Sequence, residues 1–122
     1  LDEFSLQLLA GQHWFAGAQG IIALVCRFQR SFWKFRRHTK AYRAVTLDAG
    51  HASQALYVAA TKRGLGAFVT AAINEKELER LLLLDPMVDG AIAVCGFGWR
   101  SEVMREEELD PAGRIWQRVS TG

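Results

Sequence analysis

The stretch from residue 42 to residue 73, YRAVTLDAGHASQALYVAATKRGLGAFVTAAI, constrains the fold more than any other part of the chain. Its pattern of small and apolar residues predicts one long helix from about Tyr42 to Lys62. Gly64-Leu65-Gly66 then predicts a turn, because glycine takes positive φ without steric cost. A short apolar strand, Ala67 to Ala72, follows. Helix, glycine turn and strand in this order bring a backbone edge close to whatever the strand's end faces. A flat ligand can lie against such an edge. The pattern is equally that of an ordinary connection between a helix and a strand.

One face of the long helix is very small, with Ala44, Ala49, Gly50, Ala52, Ser53, Ala55, Ala59 and Ala60. Small faces let helices approach closely, so a buried helix is expected, with its equivalent in a second subunit as one partner. Asp48, His51 and Gln54 share a neighbourhood at i, i+3 spacing. A histidine beside an aspartate invites an acid–base reading, and a structural polar cluster fits equally well. No serine or cysteine nucleophile stands at a recognisable spacing.

The flanking segments follow local rules. Residues 2–10 read as a helix with acids at its positive end and Gly11 as its stop. A turn or short helix is expected over residues 12–20. IIALVCRF, residues 21–28, is the continuous apolar run of a strand buried on both faces. Asn74 is an N-cap candidate for a helix, EKELERLLLL, that ends near Asp85-Pro86 and places its leucines in the core. GAIAVCGFG, residues 90–98, reads as a second buried strand. Residues 101–122, with Glu106-Glu107-Glu108, read as a charged tail that wraps a partner.

Half of the 122 residues are hydrophobic, which argues for a folded chain of one domain at most. No apolar run reaches the roughly 18–20 residues of a membrane span. No secretory signal pattern opens the chain, so a cytoplasmic location is expected and no membrane partner. The chain starts at Leu1, inside an amphipathic segment, so either a processed chain or a piece of something longer is expected. Cys26 and Cys95 lie in predicted strands without a CxxC and are expected as buried free thiols. His13, His38 and His51 have no metal-ligand spacing, so no metal is expected.

The net charge is only +2, yet no acid occurs between Glu3 and Asp48. Arg27, Arg30, Lys34, Arg36, Arg37, Lys40 and Arg43 fall in that gap, interleaved with Phe32, Trp33 and Phe35. One reading is an amphipathic loop or short helix with aromatics on the core and charges in water. The other is a site for an anionic or peptide ligand. One short segment on a nearly neutral chain is a thin footprint for single-stranded nucleic acid, and none is expected as a partner.

Together these residues resemble a known family. Arg27, Trp33-Lys34-Phe35, Tyr42-Arg43, Leu47-Asp48-Ala49-Gly50-His51, Gln54, Leu56, Gly64-Leu65-Gly66, Leu84-Asp85 and Gly96 resemble the C-terminal half of nitroreductase-like flavoproteins. More closely, they look like the SagB-type dehydrogenases of peptide maturation, which serve pathways that make thiazoles and oxazoles from ribosomal peptides. The similarity covers roughly residues 10–100.

The resemblance implies an α+β fold: a central, mostly antiparallel sheet flanked by helices, of which residues 1–122 form the C-terminal part, with about 101–122 as an extended tail. It implies an intertwined homodimer with FMN at the subunit interface, and oxidation of an azoline to an azole in a peptide substrate. Val69, Thr70, Ala71 and Ala72 are then the expected flavin neighbours, through main chain. Arg100 and Arg105 are expected toward the phosphate. Lys34 takes the position of the lysine in the family's catalytic Lys-Tyr pair, but Phe35 replaces the tyrosine and can neither transfer a proton nor donate a hydrogen bond. Tyr42 is the candidate substitute phenol. Residues 1–20 lack the arginine-rich motif that grips the FMN phosphate in the family, so an N-terminal segment or fragment is expected to complete the site. The alternative is a non-catalytic member, a dimeric scaffold or peptide-binding module.

Overall fold

A computed structural model of the protein describes residues 2–37 and 39–100. The elements, in order, are α1 (Asp2–Leu8), a 3-10 turn (His13–Phe15), β1 (Gly20–Arg27), α2 (Phe28–Lys34), α3 (Ala41–Thr61), β2 (Leu65–Thr70), α4 (Glu75–Leu82) and β3 (Asp89–Trp99). The three strands form one antiparallel sheet in the order β1-β3-β2. The architecture is α+β with helices flanking an antiparallel sheet, as expected.

The central strand is the last in sequence. Its run Ala93-Val94-Cys95-Gly96 is buried, because β3 has a neighbour on each side and side chains packed above and below. The register places Ile21, Gly96 and Phe68 in one row and Ala23, Val94 and Thr70 in the next. This face carries the main core, in which Leu8, Leu9, Leu78 and Val94 are packed with Phe15, Ile21, Ala23, Phe68 and Ile73. Burying Val94 or Leu78 contributes about 1.5–3 kcal/mol each. Phe68 lies flat across β3 and stacks on Phe15 with ring centroids 3.9 Å apart. That geometry requires Gly96, since a Cβ there would stand 2.2 Å from the Phe68 ring.

The opposite face carries Ile22, Cys95 and Val69 in one row, and α3 packs against β2 and β3. Strand β1 is therefore not buried on both faces. Ile22 and Val25 remain 40% and 41% exposed. The sequence run is as apolar as that of β3, but β1 is an edge strand in the described sheet. A bulge adds to the difference: Leu24 pairs with Ala93 and Val25 with Ala91, which leaves Ile92 as the extra residue.

Helix boundaries follow local chemistry. Gly11, at φ +79°, stops α1, with its N–H donating to the Leu6 carbonyl. Gly64, at φ +70°, closes α3. Asn74 caps α4, its Oδ1 accepting from the Glu77 N–H at 3.4 Å. Helix α4 ends at Leu82, because Leu83 adopts left-handed backbone at φ 52°. Leu78 is the buried leucine of this helix; Leu81, Leu82 and Leu83 are exposed, contrary to the expectation that all are core. The long helix is also only partly buried, through Ala41, Val45, Ser53 and Ala60, while Leu47 and Val58 face solvent. Cys95 is buried and Cys26 half-buried, both as free thiols. Burial pushes the Cys95 thiol above its usual range.

Candidate functional site

The end of β2 is held by a side chain from the other end of the chain. Past Thr70 the backbone leaves the sheet, and Ala71 and Ala72 are exposed. The Thr70 hydroxyl donates to Gln12 Oε1 at 3.1 Å and accepts from the Ala72 N–H at 3.1 Å. Gln12 Nε2 donates to the carbonyl of Ala72 and, at 2.8 Å, to that of Leu9. The Asn74 N–H donates to the Leu8 carbonyl at 2.9 Å. One amide group thus clamps three backbone or hydroxyl groups and fixes the course of residues 70–72 against the end of α1. Ala71 and Ala72 put only methyl groups beside this main chain, in which the Ala71 carbonyl accepts from the Ile73 N–H at 3.1 Å and the Ala72 carbonyl from Gln12. The Ala72 N–H is already engaged by Thr70, so it is not an idle donor. Local sequence rules carry no signal for Gln12, whose partners in this clamp at the β2 end lie 58 and 60 residues away.

Arg100, beyond β3, is exposed and contacts the vicinity of Gly66. Arg105 lies outside the described residues.

The second set of candidate residues lies on α2 and the start of α3. Helix α2 is short, and its aromatics do not go to the core as one sequence reading expects: Phe32 is 52% and Trp33 71% exposed. Phe28 is half-buried, and its ring covers Gly90. Phe28 stacks with Phe32 at 5.8 Å and with Tyr42 at 6.4 Å. Lys34 is exposed, with Nζ 5.4 Å from the Phe35 ring centroid, a cation–π contact. Tyr42 is 65% exposed. Lys34 lines an open cleft of about 620 Å³ with Arg27, Gln29, Arg30 and Trp33.

Arg27 closes one end of this region. Its Nε donates to Asp89 Oδ1 at 2.8 Å and its Nη2 to Oδ2 at 3.2 Å, a bidentate pair between the first residue of β3 and the last of β1. That hydrogen bond is the main reason the Asp89 carboxyl sits below its usual range. Asp48, His51 and Gln54 are all exposed on α3, and among the described residues no hydrogen bond joins them.

The two candidate sets are separate in this chain. Thr70 pairs with Val94 and Arg27 with Asp89, on opposite sides of β3. Five residues of strand correspond to about 17 Å along the sheet.

A small antiparallel sheet closed by its last strand, flanked by a long small-faced helix, is shared with proteins of known family. Residues 3–99 match the model of the nitroreductase family. The chain belongs to the nitroreductase family. Members of this family are generally oxidoreductases. Over 68 residues this nitroreductase-family chain is 34% identical to the trifolitoxin-processing protein TfxB of Rhizobium leguminosarum bv. trifolii; the match covers 56% of the chain and 18% of TfxB. Among solved structures, a protein from Anabaena variabilis described as a nitroreductase is 25% identical, with a TM-score of 0.68, over 78% of this chain and 19% of its own. The fold is also shared with a nitroreductase family protein of Streptococcus pneumoniae, at TM-score 0.68 and 14% identity over 96% of this chain and 73% of that one. A chain of the E. coli microcin synthetase McbBCD complex, solved with truncated pro-MccB17 bound, gives TM-score 0.62 at 18% identity over 75% of this chain and 38% of that chain. The chain thus spans less than a fifth of TfxB and of the Anabaena protein.

Proposed function

We propose that this chain is the C-terminal part of an FMN-dependent dehydrogenase that acts on a ribosomally made peptide, by oxidation of the azoline-to-azole type. The observation that carries the reading is the segment Thr70–Ala72, half-buried at Thr70 and exposed at Ala71 and Ala72, fixed by Gln12 at the strand end of a nitroreductase-family fold. The trifolitoxin processing for which the relative TfxB is named, and the presence of the fold in a microcin synthetase complex that binds truncated pro-MccB17, support a peptide substrate. The SagB-type assignment rests on the motif resemblance.

The residues present fit a flavin in two respects. Val69, Thr70, Ala71 and Ala72 offer an accessible backbone edge with small side chains at its tip, and Arg100 is an exposed cation suited to a phosphate. Arg105 is assigned the same role. FMN, when bound, accepts the two electrons of the oxidation as a hydride. The chain's own residues orient the substrate and take the proton. Lys34 is the group for that proton at the substrate's α-carbon, because Phe35 beside it has no exchangeable hydrogen. Tyr42, exposed and stacked on Phe28, is the phenol available to assist it.

Because Lys34 and residues 70–72 are separate in one chain, a complete site requires a second copy or a further segment. The exposed stripe of α3, with Leu47, His51, Gln54 and Val58 at helical spacing, supports a homodimer built on this helix. We place this assembly in the cytoplasm.

The test is flavin uptake by the full chain, read by visible absorbance, followed by oxidation of an azoline-bearing peptide. Bound FMN with a mass loss of two hydrogens from the peptide supports the reading. FMN uptake without peptide oxidation removes the azoline chemistry, and no uptake leaves the scaffold or peptide-binding alternative.

A further inference from the structure

The α2 region gathers cations on the surface of the chain. Arg27, Arg30 and Lys34 line one cleft with Trp33. Asp89 neutralises Arg27. Arg30, Arg37, Lys40 and Arg43 have no acidic partner among the described residues, and no Asp or Glu lies between Glu3 and Asp48 to supply one locally. Asp48 lines the neighbouring cleft with Arg30 without forming an ion pair. Trp33 is 71% exposed and has Arg36 within 5.2 Å of its ring centroid.

This surface combines two costs for a chain left alone in water: mutually repelling cations and an uncovered indole. A ligand that carries carboxylates and an apolar side chain relieves both. We infer that the cleft binds an acidic segment of a peptide, with a carboxylate at Arg30 and an apolar side chain against Trp33. The inference rests on the peptide-directed reading above and names the class of peptide. The guanidinium of Arg30 matches a carboxylate in two parallel hydrogen bonds. A single strand of nucleic acid, the competing polyanion, needs successive rings on which bases stack. Among the described residues Trp33 is the one aromatic that lines the cleft, while Phe32 and Tyr42 each stack with Phe28.

The experiment is fluorescence anisotropy of a short labelled peptide that alternates Asp or Glu with Phe, titrated with the full chain without flavin. The controls are its Asn/Gln isostere and an oligothymidylate of equal charge. Lys34 is shared with the proposed chemistry, so the informative substitutions are Arg30→Glu and Trp33→Ala, with circular dichroism to check folding. The acidic peptide is expected to bind at least about tenfold more tightly than its isostere, and to lose about tenfold in each variant. Arg30→Glu is further expected to favour a peptide in which Lys replaces the acids, a gain that a misfolded variant does not give. Equal binding of the isostere, unchanged binding in Arg30→Glu, or tighter binding of the oligothymidylate overturns the inference. Flavin uptake is measured separately. Uptake without acidic-peptide binding overturns this inference alone, and peptide binding without uptake overturns the flavin reading alone.

Discussion

The Thr70 hydroxyl donates to Gln12 Oε1 at 3.1 Å, across 58 residues of sequence, and through this contact the end of β2 is tied to the end of α1. Replacing Gln12 by Ala removes this acceptor and the donors to Leu9 and Ala72. The amides of residues 70–74 are expected to lose protection in hydrogen exchange, with a stability loss of about 1–2 kcal/mol. Thr70→Ser keeps the hydroxyl and is expected to retain protection, whereas Thr70→Val loses it. Equal exchange in Gln12→Ala and the parent chain refutes the clamp.

Gly96 is required by the ring that covers it. In Gly96→Ala the new Cβ meets Phe68, itself stacked on Phe15, so the stacked pair must shift to admit it. A loss of about 2–3 kcal/mol is expected in chemical denaturation. In a Phe68→Ala background the same change costs far less, and the double-mutant cycle reads that coupling.

Lys34 lies on the surface, so its removal tests chemistry with little effect on folding. Lys34→Ala is expected to lower turnover of the flavin-loaded protein by roughly 100-fold or more, with a thermal midpoint close to that of the parent. Unchanged turnover eliminates Lys34 as the proton acceptor.

The Arg27–Asp89 pair makes an acid-sensitive contribution. The folded carboxyl titrates below its unfolded value, chiefly through the hydrogen bond from Arg27, with partial burial opposing and the charge of Arg27 assisting. Stabilisation by the pair is therefore complete above the ordinary Asp value of about 3.9. It is lost as pH falls through the depressed folded value. The stability difference between the parent and Asp89→Asn, from urea curves at neutral and at strongly acidic pH, is expected to shrink toward zero on the acid side.

Much of the fold is legible in the sequence where one local rule acts alone. The long helix is read as Tyr42–Lys62 and observed as Ala41–Thr61, because small residues run up to the glycine that ends it. Gly11 and Asn74 act as stop and cap for the reasons their residue types give. The glycine turn is narrower than its pattern. Gly64 alone bends the chain, while Leu65 and Gly66 already pair with Trp99 and Gly98 in the sheet. Burial is legible only where position in the sheet agrees with composition. IIALVCRF and GAIAVCGFG are equally apolar, yet one is an edge and the other the centre, and strand order is set by partners distant in sequence. The Gln12 clamp is invisible for the same reason. Lys34 stands out only through the resemblance, since one lysine among seven basic residues has no local signature.

The strand order β1-β3-β2 also sets a schedule. During synthesis from the N-terminus, β1 and β2 emerge without any strand to bond to, because each pairs only with β3 among the described strands. Until residues 89–99 leave the ribosome, about 70 residues after β1 began, both hold unsatisfied ladders and apolar faces in water. A chain halted before Asp89 lacks the strand with which β1 and β2 pair among the described residues, so it is expected to depend most on a chaperone. Among the described residues, the sheet therefore waits on a single late strand.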